Sequence, residues 1–131
     1  MKIKIDKADR IFSQYVREIA DWTCQRCRRK YDRDEPNHLQ ASHFYGRGNE
    51  NTRFMPDNVD ALCMGCHMRW GGADHESYRE FKVKQLGEKG FQLLTLAAHT
   101  YCKKDRKLAY MVWKQEYLKI CKEKRITPKK I

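Results

Sequence analysis

The chain has 131 residues, of which 40% are hydrophobic and 34% charged. This length predicts one domain with a modest core, a size class in which a bound metal often adds stability. No apolar run reaches the roughly 20 residues of a membrane-spanning helix. The charged start MKIKIDKADR also lacks the apolar stretch of a signal peptide. We therefore expect a cytoplasmic protein without a membrane partner, in a compartment where thiols stay reduced.

The formal net charge of +11 is unevenly distributed along the chain. Residues 101–131 contain 11 Lys/Arg against 3 Asp/Glu, a net of +8, which leaves only +3 for residues 1–100. A basic surface of this kind suits a polyanion, and nucleic acid is the leading candidate. The alternative is a solvated lysine-rich helix with no such partner.

The first predicted elements are a helix and a short strand. Apolar side chains recur at helical spacing from Ile11 to Ile19, and Asp6 or Asp9 could cap the start of that helix. Residues 39–43 (LQASH) alternate apolar and polar side chains, which predicts a strand that ends near His43. The following GRGNENTRFMPDN is rich in Gly and Asn and predicts an irregular loop.

The second half of the chain predicts a further extended segment and three helices. Residues 58–62 form the extended segment, and a helix after Cys63 should carry His67. Residues 74–98 predict a helix interrupted near Gly87 and Gly90. Residues 105–124 predict a long final helix with two adjacent apolar stripes, wider than the usual single face. The first stripe consists of Leu108, Met111, Val112, Leu118 and Cys121, and the second of Tyr110, Trp113, Tyr117 and Ile120. We expect this helix to pack on the body of the protein and also to suit a second copy of the chain.

Two Cys-x-x-Cys pairs are the strongest chemical signal. Cys24 and Cys27 form one pair, Cys63 and Cys66 the other. Each such turn can direct two sulfurs at one ion, and four thiolates complete the closed tetrahedral shell of structural zinc. A thioredoxin-like redox site would need only one pair, in a strand-to-helix context. Cys102 and Cys121 fall outside the pattern and are interpreted as ordinary buried or half-buried thiols.

The order of the cysteines together with Ser42-His43, Asn58 and Cys66-His67 resembles the HNH nucleases of the ββα-metal class with a zinc-knuckle reinforcement. The strings Ser42-His43-Phe44, Thr52-Arg53-Phe54 and Pro56-Asp57-Asn58 are similar to the phage NinG (Rap) recombination-nuclease group, and the resemblance covers roughly residues 6–100. It implies an α+β, mostly helical fold with a zinc-stabilised, treble-clef-like ββα-metal core. Residues 1–100 would form the nuclease domain, with an N-terminal helix, and residues 101–131 a basic C-terminal helix for packing, dimerisation or DNA binding.

The resemblance also implies roles for individual residues. His43 would be the general base, a task suited to a neutral imidazole near pH 7. Asn58 would pin the loop between the strands, since an amide both donates and accepts hydrogen bonds. His67 would bind a catalytic Mg²⁺ or Mn²⁺ ion, and Cys66 would face the zinc. Many HNH nucleases have a metal-binding Asp or His at the position of Ser42, so the Ser42 hydroxyl or a main-chain oxygen is a weaker candidate ligand.

Phosphate contacts are expected from arginine. Arg47 lies four residues after His43 in the predicted loop and could clamp a DNA phosphate. Arg53 and Arg69 are weaker candidates, because most arginines in so basic a chain are simply solvated.

The leading hypothesis is a metal-dependent DNA endonuclease that nicks one strand per site, with weak sequence specificity. The NinG-like strings suggest branched or recombination DNA, products with 5′-phosphate and 3′-hydroxyl ends, and the cytosol of a bacterial host if a phage or prophage encodes the chain. The alternative is a non-catalytic zinc-knuckle protein that binds nucleic acid. An RNA-processing HNH enzyme is a third option.

Overall fold

The computed structural model describes residues 3–130. In that part of the chain, four helices surround one antiparallel pair of strands, which confirms the α+β class predicted from the sequence. The elements are α1 (Lys7–Ile19), β1 (Leu39–His43), β2 (Val59–Cys63), α2 (Met64–Gly71), α3 (His75–Ala98) and α4 (Arg106–Lys124). A single 3₁₀ turn precedes each strand. No helix within residues 3–130 has the length and apolar character needed to span a bilayer.

Acidic caps mark the start of α1, α3 and α4. The Asp6 carboxylate accepts hydrogen bonds from the backbone N–H groups of Ala8 and Asp9, and Asp9 accepts one in return from the N–H of Asp6. This reciprocal capping box satisfies N–H groups that the first turn leaves unpaired. Inside α3, Gly87 has a φ of 79° and interrupts the helical geometry, as the sequence predicted. Glycine suits this position because it lacks the Cβ that penalises positive φ.

The register of the strands determines which side chains share a face. Leu39 lies opposite Cys63 and His43 lies opposite Val59, so β2 begins one residue later than expected. Side chains alternate along a strand, which sends Ser42 and His43 to opposite faces of the sheet. Ser42 lies opposite Asp60, on the face covered by Tyr78 of α3.

Helix α4 packs along α1. Tyr117 and Cys121 form a buried cluster with Ile11, and Trp113 meets the Phe12 ring edge-on at 4.8 Å between centroids. One of the two predicted apolar stripes of α4 is therefore packed against α1. Most members of the other stripe are exposed: Leu108, Met111, Val112 and Leu118.

The segment after α4 folds back onto the body. Arg33 Nη2 donates to the carbonyl oxygen of Thr127 at 2.7 Å, and the backbone N–H of Lys129 donates to the Tyr117 hydroxyl at 2.9 Å. Use of this C-terminal region in dimerisation or DNA binding stays a prediction.

Candidate metal centre and polar cleft

The four cysteines of the two Cys-x-x-Cys pairs meet in space. Their sulfur atoms all lie within 4.8 Å of one another, and the Cys27 and Cys63 sulfurs are 4.0 Å apart. A tetrahedral ion with Zn–S bonds of about 2.3 Å would require sulfurs about 3.8 Å apart. The cluster can therefore hold one metal ion. Among the described residues it contains no histidine, so His67 lies outside the sulfur shell.

Local backbone geometry builds this cluster from two distant segments. In the first pair, Arg28 adopts a φ of 65° and its N–H donates to the Cys24 carbonyl oxygen at 2.9 Å, which closes the knuckle. The Gln25 N–H donates to the Ala61 carbonyl oxygen at 2.9 Å and ties this knuckle to β2. In the second pair, Cys63 ends β2 and Cys66 lies in the first turn of α2.

Two donors approach the sulfurs. The Cys63 N–H donates to the Cys24 sulfur at 3.4 Å, and Arg26 Nη1 donates to the Cys66 sulfur at 3.4 Å. Such donors stabilise thiolates and orient them toward an ion. The remaining cysteines are separate from the cluster, since Cys121 is buried against α1 and Cys102 is exposed rather than half-buried.

His43 lies at the end of β1 with its ring held in one orientation. Its Nε2 is 3.0 Å from the carbonyl oxygen of Arg53. A carbonyl oxygen can only accept, so Nε2 carries the proton and Nδ1 keeps a free lone pair. Burial, followed by the positive charge of Arg47, lowers the pKa of His43 to about 4. The imidazole is therefore neutral at pH 7, with a free Nδ1 that is less basic than that of a solvated histidine.

Asn58 pins the loop of residues 44–57. Its side-chain oxygen accepts from the Tyr45 N–H at 2.8 Å, while its amide nitrogen donates to the carbonyl oxygens of Tyr45 (2.9 Å) and Thr52 (3.1 Å). The side chain is completely buried. Because Thr52 precedes Arg53, this bonding places the carbonyl that orients His43.

Arg53 has a structural place that the sequence did not reveal. It is buried and donates from Nε and Nη2 to the two Asp9 carboxylate oxygens at 2.8 and 2.6 Å. Its Nη2 also donates to the Lys4 carbonyl oxygen at 2.8 Å. The expectation of a solvated arginine at this position was wrong, because Asp9 in α1 supplies a buried counterion.

A polar cleft of about 290 Å³ lies between α1, the edge of β1 and α2. Arg47 and His67 both line it, together with Ser13, Arg17, Pro36, Asn37, Leu39, Gln40, Ala41 and Met64. His67 Nδ1 and Arg47 Nε are buried without a hydrogen-bond partner. Burial, followed by the charge of Arg47, lowers the pKa of His67 as well. The charge of Arg47 therefore acts on both predicted catalytic histidines.

Neither Ser42 nor His43 lines the cleft that contains His67. The side chain of Ser42 is 1% exposed, and the Tyr78 hydroxyl donates to the Ser42 carbonyl oxygen at 3.1 Å. No carboxylate lines the described cleft either. Of the ligands expected for a catalytic ion, the cleft thus presents one unpaired imidazole nitrogen. This fits a divalent cation only if phosphate and water oxygens complete the shell.

A buried ion pair beneath the sheet was also missed by the sequence reasoning. The completely buried Lys82 lies with its ammonium group 2.8 Å from the Asp60 carboxylate, and it donates to the Asp57 carbonyl oxygen at 2.5 Å. Tyr78 and Gln85 complete this network from α3. Asp60 within the otherwise apolar strand VDALC could have indicated this ion pair, because a buried carboxylate requires a partner.

Comparison of the chain with protein-family models, with curated proteins and with solved structures found no match.

Proposed function

We propose that this protein is a metal-dependent DNA endonuclease of the HNH class. The observation that carries the proposal is the neutral His43 ring, held by the Arg53 carbonyl in a loop pinned by Asn58. A neutral histidine with one free nitrogen and a fixed orientation has the geometry of a general base. Arg47 and His67 line the polar cleft and would supply a phosphate-binding group and a metal ligand, respectively.

The reaction that this arrangement supports is hydrolysis of a phosphodiester. Nδ1 of His43 takes a proton from a water molecule, the water oxygen bonds to phosphorus, and the bond from phosphorus to the 3′ oxygen breaks. The departing 3′ oxygen takes a proton from solvent water and becomes the 3′ hydroxyl, His43 returns its proton to solvent, and the new phosphate remains on the 5′ end. Arg47 would hold the phosphate with a charge-assisted hydrogen bond.

Two metals belong to the proposal, with different roles. Cys24, Cys27, Cys63 and Cys66 would hold structural Zn²⁺, whose binding contributes folding energy. His67 would hold Mg²⁺ or Mn²⁺, and such an ion neutralises charge on the phosphate and on the departing oxygen. Ser42 has no part in the proposal, because it is buried outside the cleft.

The experiment is conversion of supercoiled plasmid to nicked circles in Mg²⁺, Mn²⁺ or EDTA. We expect metal-dependent nicking by the native chain, its loss in His43→Ala and His67→Ala, and no change in His38→Ala. His38 is the matched control because its side chain is 61% exposed and does not line the cleft. DNA binding without nicking in any metal, by the native chain as well as the variants, would overturn the proposal.

DNA binding without nicking would support the second candidate, a non-catalytic zinc-knuckle protein that binds nucleic acid. One observation favours this candidate: the described cleft contains no carboxylate and presents one histidine to an ion. An RNA duplex, tested in the same assay as DNA, distinguishes both candidates from an RNA-processing enzyme, which would cleave the RNA. A homodimer through α4, action on branched or recombination DNA and the phage origin suggested by the sequence stay predictions.

A further inference from the structure

Arg17, on the last turn of α1, is partly buried, and its guanidinium has no counterion among the described residues. Its Nη1 donates to the Leu39 carbonyl oxygen at 3.3 Å, and its guanidinium lies 5.5 Å from the centroid of the Trp22 ring. Its Nε is buried without a hydrogen-bond partner. Among residues 3–130, no carboxylate forms a salt bridge with it. Burial lowers the pKa of Arg17 to about 10, still far above pH 7, so the charge remains.

Three other arginines with little exposed surface each form a close salt bridge with a carboxylate. Arg53 is paired with Asp9 at 2.6 Å, Arg106 with Asp6 at 2.7 Å, and Arg33 with Glu18 at 2.5 Å. A charge removed from water without a partner is costly, and proteins rarely retain one without a ligand or counterion. Arg17 therefore differs from this pattern.

Arg17 shares the polar cleft with Arg47, whose own Nε has no hydrogen-bond partner and lies 3.8 Å from the nearest Asp9 oxygen. Two guanidinium groups with unpaired N–H donors thus line a cleft that contains no carboxylate among its described residues. Ser13, Asn37 and Gln40 add side chains that can donate hydrogen bonds. A group that matches this lining is an oxyanion with several acceptor oxygens, and phosphate pairs with guanidinium in a planar fork.

We propose that Arg17 forms a phosphate-binding subsite of the cleft, which takes a backbone phosphate of DNA adjacent to the one held by Arg47. The inference deepens the proposed function, on which its choice of DNA rests. It extends the DNA-binding surface from the loop of residues 44–57 onto α1. Arg17 binds without taking part in proton transfer, so its role can be measured in the absence of cleavage.

The experiment measures the affinity of a labelled DNA duplex by fluorescence anisotropy in zinc-saturated buffer without added Mg²⁺ or Mn²⁺, over a range of salt concentrations. The variants are Arg17→Gln and, as a matched control on the same helix, Arg10→Gln, since Arg10 is exposed. We expect Arg17→Gln to weaken binding about tenfold and to reduce the slope of log K against log salt by about 0.9, the value for one lost phosphate contact. Arg10→Gln should change both quantities much less. Equal effects of the two substitutions would overturn the proposal.

A second measurement on the unsubstituted protein guards against misfolding of the variant. The NMR signal of the Arg17 Nε–H should shift when DNA duplex is added, because that donor gains an acceptor. An unmoved signal at saturating DNA would also overturn the subsite. Inorganic phosphate and a mononucleotide, titrated separately, distinguish a site for free phosphate from one that needs the polymer, and a response to either one without a response to DNA would exclude the DNA subsite.

These outcomes are separable from those of the nicking assay. Loss of DNA binding in Arg17→Gln together with no nicking by the native chain would leave the subsite in place and remove the nuclease. Nicking that depends on His43, together with unchanged DNA binding in Arg17→Gln, would support the nuclease and remove the subsite.

Discussion

Replacing Asn58 by alanine tests whether the loop that orients His43 depends on one buried amide. The substitution removes three hydrogen bonds, one accepted from the Tyr45 N–H and two donated to the carbonyl oxygens of Tyr45 and Thr52. Each bond contributes about 1 kcal/mol, and Asn58 is completely buried, so water does not readily replace the lost partner. We therefore expect the free energy of unfolding to fall by about 3 kcal/mol.

This loss converts to a change in melting temperature. An entropy of unfolding of about 2.1 cal/mol/K per residue, over 131 residues, makes each kcal/mol worth about 4 °C. Asn58→Ala should thus melt about 10 °C below the native chain in a zinc-saturated buffer, followed by circular dichroism. It should also nick plasmid more slowly at 15 °C, because the carbonyl that holds the His43 ring shifts.

Asn51→Ala is the matched control for this experiment. The Asn51 amide donates to the Ala98 carbonyl oxygen at 3.2 Å, an oxygen that also accepts from Asn49 at 2.9 Å. One partner therefore remains, and the cost should be about 1 kcal/mol or less. A melting temperature of Asn58→Ala within 3 °C of the native value, or equal to that of Asn51→Ala, would refute the reasoning.

Three further predictions follow from separate parts of the structure. Cys63→Ser should lose bound zinc and cooperative unfolding, whereas His67→Ala should keep both; equal zinc loss by elemental analysis would place His67 in the metal shell. Burial raises the pKa of Asp9, but hydrogen bonds and charge from Arg53 outweigh it and lower the pKa from 3.8 to about 2. Asp9 should therefore contribute about 2 kcal/mol that is present above pH 4 and lost as the pH falls through 2. The stability difference between the native chain and Asp9→Asn in urea should shrink over that range, and a constant difference would contradict the assignment. For the homodimer predicted through α4, sedimentation velocity should show a dimer that Leu118→Glu converts to a monomer. A native chain that sediments as a monomer would contradict this prediction.

Most secondary structure followed from local features of the sequence. The limits of β1 match the alternation of LQASH, and α4 begins one residue after the predicted start because Asp105 serves as its cap. Gly87 interrupts α3 because a residue without Cβ tolerates positive φ. The grouping of the four cysteines was predictable for a similar reason, since a Cys-x-x-Cys turn directs both sulfurs the same way whatever surrounds it.

Only the tertiary structure decided which charged side chains are buried and what accompanies them. Nothing in the sequence separates Arg53 from Arg17. In the fold, Arg53 pairs with Asp9, 44 residues away, whereas Arg17 lines a cleft whose described residues include no carboxylate. Ser42 and His43 are neighbours, yet the pleat turns them to opposite faces, and neither of them lines the cleft of His67. The sequence by itself determined the helices, the strands and the grouping of the four cysteines, because those depend on local spacing. Counterions and cleft walls come from distant segments, so they required the fold.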